Sequence, residues 1–341
     1  MGERLRVGLL GMGMIGVQHA SALHELRDLV ELRAYTGSSP DGAARAGWPD
    51  AERVSRDELY ARDDVDIIVI CTPSDGHATQ ALEALGAGKH VVVEKPFALN
   101  VADAERINAL AAERGLHVSA IFQRRFEPVH QAVRALMDRG DLGELRLART
   151  HVHWWRDPEY YREAPWRGRT DAGGSALDNQ GIHNVDLLRW FAGPVEAVTA
   201  QSATLAHDIE AADTFVATLS FANGALGLLS VTTATPPGFP ATISLNFDRG
   251  AIELGPEAIL RWDHDAPRPE VGGAHGAGGS SEPMAFGVEN HAAQWRDIVD
   301  AIHGGRPSSI SGADAAQTVR LTAAIALAAD TGRKVRPAEL S

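Results

Sequence analysis

From residue 4 to about 120, strand-like and helix-like segments alternate along the chain. Residues 4–10, 30–35, 65–71, 90–93 and 117–122 read as strands, and 15–26, 77–86 and 102–114 as helices. The run His90-Val91-Val92-Val93 has no polar alternation, so it predicts a strand buried on both faces. Such alternation predicts βαβ units and a parallel sheet with helices on both sides. Beyond about residue 145 the pattern changes. Residues 214–221, 225–233, 242–247 and 250–254 are strand-like and are joined by turn signals such as Ala222-Asn223-Gly224 and Asp248-Arg249-Gly250. Consecutive strands without intervening helices predict a large, mainly antiparallel open sheet. The low-complexity stretch at 271–283 reads as a surface loop, and two helices at about 288–303 and 313–331 close the chain. The predicted architecture is α/β followed by α+β, with one domain over 1–122 and a second over 123–341.

Composition narrows the functional classes. Of the 341 residues, 44% are hydrophobic and 23% charged, an ordinary globular balance. Asp+Glu 45 against Lys+Arg 32 gives −13, which argues against nucleic acid or an anionic membrane as partner. The single cysteine, Cys71, excludes an internal disulfide and suits a reducing cytoplasm. Arg4 and Arg6 before Val7-Gly8-Leu9-Leu10 imitate the start of an export signal, but Gly11, Gly13 and Gly16 interrupt the apolar part. No apolar run of about 18 residues follows, so a cytoplasmic protein is expected.

Gly11-Met12-Gly13-Met14-Ile15-Gly16 is G-x-G-x-x-G, placed directly after the first strand and opening a helix. In that context Gly11 makes the tight turn, Gly13 lets the backbone approach a pyrophosphate, and Gly16 allows close helix–strand packing. The pyrophosphate of NADP or NAD would lie on the helix N-terminus, beside Met14 and Ile15, where N–H groups and the dipole favour an anion. The second strand runs into Thr36-Gly37-Ser38-Ser39-Pro40, with no carboxylate to read an adenosine ribose. Gly37 and Ser38 leave room and donors for a 2′-phosphate, so NADP is favoured over NAD, and Gly37→Asp would restore a carboxylate and favour NAD.

The buried strand at 90–93 runs into Glu94-Lys95-Pro96, an odd end for such a segment unless it is a solvated turn. Together with the fingerprint, Cys71-Thr72-Pro73 with His77, Gly88-Lys89-His90, Gln123-Arg124-Arg125-Phe126, Trp166-Arg167-Gly168 and the run from Gly173-Gly174 to His183, it resembles the family of glucose–fructose oxidoreductase and inositol dehydrogenase (Gfo/Idh/MocA). The resemblance is close over the first 130 residues or so and continues through about 150–195. It implies a Rossmann domain followed by a substrate and oligomerisation domain, and a dehydrogenase acting on a secondary alcohol or ketone of a sugar, sugar derivative or cyclitol. It places Lys95 over the nicotinamide edge, often with a cis peptide before the proline. It makes His183 the group that exchanges a proton with the substrate hydroxyl. Cys71, Thr72, Pro73, His77, Glu94, Gln123, Trp166 and Arg167 then fall to the cofactor side.

One position departs from the inositol dehydrogenase-like pattern: the aspartate four residues before the histidine is Asn179 here, with Asp178 one place earlier. Asn179 can bind substrate or position His183 without adding charge, or serve as a cap. His153, Trp155, Tyr160 and Tyr161 are expected to line the substrate pocket, because aromatic faces with polar tips suit sugar rings. His151 and His153 alternate on one strand, but no HExxH or CxxC pattern supports a metal. Two other classes share this fold: glycoside hydrolases that use bound NAD for transient oxidation, and non-catalytic dinucleotide sensors. Apolar positions on both faces of 225–229 lead us to expect a homodimer or homotetramer.

Overall fold

The structure, a computed structural model, describes residues 3–37, 39, 41–271 and 287–340. It divides into two compact units, Met1–Gln123 with Gly287–Val319, and Arg124–Phe286 with Arg320–Ser341. The first unit holds strands β1 (Leu5–Leu10), β2 (Val30–Tyr35), β3 (Glu52–Arg53), β4 (Ile67–Ile70), β5 (His90–Val93) and β6 (Val118–Ala120) in the order β3-β2-β1-β4-β5-β6, all parallel. Its main helices are α1 (Met14–His24), the short α2 (Gly42–Arg45) and α3 (Arg56–Ala61), then α4 (His77–Gly86) and α5 (Val101–Arg114). Every residue of β4 is buried, as its unbroken apolar run requires.

A domain running unbroken from 123 to 341 is corrected here. Residues Gly287–Val319 return to the first unit. They carry α9 (Glu289–Gly304), whose Trp295, Ile298 and Val299 are buried with Val7, Leu9 and Leu23 under the parallel sheet. An amphipathic stripe predicts that a helix covers a core, and does not say which one.

The second unit is built on a seven-stranded sheet of β7 (Leu145–His153), β8 (Val195–Ala203), β9 (Thr214–Phe221), β10 (Leu226–Thr232), β11 (Thr242–Phe247), β12 (Gly250–Gly255) and β13 (Ala258–His264), ordered β13-β12-β11-β7-β10-β9-β8. All pairings are antiparallel except β7 with β10. With it come α6 (Pro128–Asp138), α7 (Pro158–Arg162), α8 (Ile182–Ala192) and the larger part of α10 (Gly312–Thr331). Alternation assigns the faces. Ala148, Thr150 and Val152 of β7 and Phe215, Ala217, Leu219 and Phe221 of β9 are buried. They face α8, whose Asn184 donates from Nδ2 to Thr150 Oγ1 at 2.8 Å. The other face carries Val216, Leu226 and Leu228, 46%, 58% and 45% exposed, and a groove of about 940 Å³. No helix among the described residues is long and apolar enough to cross a membrane. The 271–283 segment falls outside the described residues apart from Val271.

Candidate active site

In the first unit the turn after β1 is tied to the end of β2. Gly11 N donates to Thr36 Oγ1 at 3.1 Å and Met12 N to Thr36 O at 2.8 Å. A Cβ on Gly16 would collide with Gly11 O, so only glycine lets α1 start this close to the strand. The N-cap of α1 is Gly13, with no side-chain cap and no acid in the first turn. The first N–H groups of α1 are therefore left for an outside acceptor, and an anion such as a pyrophosphate fits them. Met14 stands 58% exposed at this end, while Ile15 packs against the core.

Gly37 has φ +127°, and a Cβ there would lie 2.6 Å from Met12 N. Gly37→Asp therefore cannot introduce a ribose-binding carboxylate without breaking this turn, which corrects that expectation. Ser38 lies outside the described residues. A guanidinium reaches the residues after β2 from α2: Arg45 Nη2 donates to Ser39 Oγ at 3.1 Å. Its separation from the strand end hid it in the sequence.

At the end of β4, Cys71 is buried, and burial pushes its thiol pKa up. Thr72 Oγ1 donates to Gln80 Oε1, and Pro73 leads into α4. His77 is buried with Nδ1 2.8 Å from Pro96 O and Nε2 2.9 Å from Thr72 O. Both contacts can be donated bonds only if the ring carries both protons. Burial opposes that charge and lowers the pKa of His77, so at neutral pH one contact is a hydrogen bond and the other a bare approach. His77 therefore staples the loop after β4 to the turn after β5 and is not offered to a cofactor. Lys95 is half-buried at the end of β5, and its peptide bond to Pro96 is cis. Glu94 is also withdrawn from the cofactor side: it is 5% exposed, accepting from His19 Nε2 at 2.8 Å and from Lys95 N at 2.9 Å. Burial alone would raise its carboxyl pKa, but the hydrogen bond from His19 opposes it and the pKa is lowered.

His19, Glu94 and His291 bring ligand atoms within 4.8 Å of one another, the one such cluster among the described residues. Its chemistry does not suit a metal. Trp295 Nε1 lies 2.9 Å from His19 Nδ1 and can only donate, so the histidine's proton must sit on Nε2. A metal on Nε2 would move that proton to Nδ1, facing the indole N–H. His291 is buried, with neither ring nitrogen hydrogen-bonded among the described residues. Burial, then neighbouring His19, lowers its pKa to about 4. Between that value and the unfolded value of about 6.5, only the unfolded chain takes up the proton, so stability falls as pH drops through this window. The loss from pH 7 to pH 4.5 is expected to be about 2–3 kcal/mol. Urea unfolding should show it in the wild type and not in His291→Phe; equal losses in both would contradict it.

In the second unit a π-helical turn, Leu177–Gly181, feeds α8. Such turns widen a helix locally and are frequent at functional sites. It sends Asn179 Nδ2 and Gln180 Nε2 to the Tyr160 hydroxyl at 3.1 and 3.0 Å, so the phenol accepts twice and keeps its own proton to donate. Arg167 lies over the Tyr160 ring at 4.1 Å and donates to Tyr160 O at 2.8 Å. Arg156, missed in the sequence, lies 5.4 Å from the same ring. Trp155 is stacked on His207 with centroids 5.6 Å apart, and Asp213 holds that histidine at 2.9 Å. His183 is half-buried in the first turn of α8, and Trp166 in the turn Pro165–Gly168. Asp178 turns back to Ser175 Oγ at 2.7 Å, and burial raises its pKa, so it does not replace the missing aspartate.

Two expected pocket residues are corrected. His153 bonds Ser230 Oγ at 2.8 Å on the sheet face opposite α8, because β7 alternates and α8 covers the other set. Tyr161 is 8% exposed with its hydroxyl on Thr233 Oγ1 at 2.8 Å, which makes it an anchor of the core. Gln123 ends the first unit, and its buried Oε1 has no hydrogen bond among the described residues.

Residues 5–122 match the oxidoreductase family with an NAD-binding Rossmann fold, and residues 130–253 match the GFO/IDH/MocA C-terminal domain. Inositol 2-dehydrogenase of Rhizobium meliloti is 33% identical over 258 residues, 73% of this chain and 74% of that one. The uncharacterized oxidoreductase YdgJ of Escherichia coli is 32% identical over 65% of this chain and 63% of its own length. The WlbA dehydrogenase of Bordetella pertussis, solved in complex with NADH and UDP-GlcNAcA, superposes with a TM-score of 0.86 at 32% identity, covering 98% of this chain and 99% of that one. The uncapped, glycine-turned start of α1 is what such a Rossmann domain requires, and the chain belongs to the GFO/IDH/MocA family of oxidoreductases.

Proposed function

We propose that the protein transfers a hydride between a nicotinamide dinucleotide and a secondary alcohol or ketone of a sugar, sugar derivative or cyclitol. The observation that carries this reading is Lys95, a half-buried cation at the carboxyl end of an interior parallel strand, in the same unit as an anion-ready helix start. When bound, the dinucleotide supplies the hydride acceptor or donor. The start of α1 holds its pyrophosphate. Lys95 donates a hydrogen bond to the substrate oxygen and stabilises alkoxide charge as it develops. His183 takes the hydroxyl proton in oxidation and returns one in reduction. Asn179, Gln180 and Tyr160 present amide and phenol groups to sugar hydroxyls, flanked by Trp155. The acid-sugar nucleotide seen with WlbA makes nucleotide-linked sugars the first substrates to assay, ahead of free cyclitols. The test is turnover of such a panel with NAD and NADP, followed by nicotinamide absorbance.

The cofactor lean stays towards NADP and gains a residue. No carboxylate stands at the end of β2, and Arg45 at Ser39 supplies a guanidinium suited to a 2′-phosphate. Arg45→Ala is expected to weaken NADPH binding at least about tenfold and leave NADH within about twofold, read by fluorescence titration. Equal effects on both cofactors would remove Arg45 from ribose recognition.

We also propose self-association through the outer face of the second unit's sheet, where Val216, Leu226 and Leu228 are exposed together. Light scattering should give a multiple of the 36.4 kDa chain mass. A value near the chain mass at micromolar concentration would contradict this.

A further inference from the structure

Both carboxylate oxygens of the residue before the proposed oxygen-polarising lysine are committed to donors within the protein. Glu94 Oε1 accepts from His19 Nε2 at 2.8 Å, and Oε2 accepts from the main-chain N–H of Lys95 at 2.9 Å. His19 in turn accepts at Nδ1 from Trp295 Nε1 at 2.9 Å. His19 lies on α1, the helix that opens at the glycine turn, and Trp295 on α9; both are 0% exposed.

The donors and acceptors in this chain have only one arrangement. An indole N–H only donates, so the single proton of a neutral His19 sits on Nε2 and points at Glu94. A peptide N–H also only donates, so Glu94 must accept at both oxygens. A carboxylate does this; a carboxylic acid or a carboxamide offers a donor on one side and loses a bond. Buried polar groups are costly to leave unmatched, so the arrangement holds the Lys95 peptide against α1.

We infer that Glu94 is a positioning residue for Lys95, locked by His19 and Trp295, and that it ties the root of the lysine to the helix that holds the dinucleotide. The inference rests on the proposed role of Lys95, but its geometry can be read without turnover. Displacing a catalytic group by an ångström or so costs on the order of 10²-fold in rate, which sets the scale of the expected effect.

The experiment compares wild type with Glu94→Gln, Glu94→Ala, His19→Leu and His19→Gln. Glutamine at position 19 can accept from Trp295 and donate to Glu94, so it restores both bonds that leucine removes. Amide hydrogen exchange is read at Lys95, with Val92 and Val93 of the same strand as local controls. Lys95 exchange should accelerate at least about tenfold in Glu94→Ala and His19→Leu, with the controls still protected, and return to within about threefold of wild type in His19→Gln. On any substrate turned over, Glu94→Gln should lose about 10–100-fold in kcat with reduced-cofactor affinity within about threefold. Unchanged Lys95 exchange in both variants would overturn the inference. So would His19→Gln behaving like His19→Leu, which would mean packing alone, or a loss of cofactor affinity matching the loss of kcat. If wild type turns over no alcohol or ketone, the functional reading fails, while the exchange data still decide the role of Glu94.

Discussion

Lys95→Met is expected to lower kcat by about 10²–10³-fold while the dissociation constant of the reduced dinucleotide stays within about threefold. Methionine keeps the unbranched apolar stem and removes the ammonium. The side chain is half-buried at the end of β5, so the change leaves the core runs of β4 and β5 intact. Because the hydrogen bond strengthens as the substrate oxygen gains charge, kcat and kcat/KM should fall together. Turnover within a few-fold of wild type would take Lys95 out of the chemistry. A large loss of cofactor affinity would instead make it a binding residue.

His183→Asn is expected to lower kcat by about 10²–10⁴-fold and to flatten the pH dependence in both directions. Alcohol oxidation needs a ring nitrogen free to accept a proton, whereas ketone reduction needs an imidazolium able to donate one. Oxidation should therefore rise with pH and reduction fall. Asparagine keeps a hydrogen-bonding tip and cannot titrate there. It replaces a half-buried side chain in the first turn of α8, outside the helix's buried set, so folding should survive. A variant that keeps the wild-type profile would move the titration to another group. His153 is not a candidate, since it lies on the sheet face away from α8.

The parallel sheet was legible because its strands are buried on both faces: unbroken apolar runs such as Ile67–Ile70 suit a strand covered on both sides. The glycine turn was legible for a similar reason, since the steric demand at Gly16 is met by one residue type only. What escaped depends on the partner of a face. Strand periodicity separates His151 and His153 from Thr150 and Val152, but only the packing of α8 shows which set is inward. The same ambiguity sent α9 to the wrong domain. Motif matching placed Glu94 and His77 beside the cofactor because they neighbour residues that belong there. Burial and committed hydrogen bonds show that both support the loop instead. Arg45 had no motif to announce it and reaches its place through a short helix, while Gln180 lay within the matched run but owes its direction to a helix wound with an extra residue per turn.

Transfer of the hydride itself is the most direct measurement. A panel of nucleotide-linked sugars, free sugars and cyclitols, each deuterated at a carbinol carbon, would be incubated with oxidised dinucleotide and the products read by mass spectrometry and NMR. The proposed reaction predicts a ketone and a nicotinamide carrying the label at C4 in equal amounts, with both absent in Lys95→Met. Release of a free sugar with no net reduced nicotinamide, or no labelled nicotinamide from any member of the panel, would contradict it.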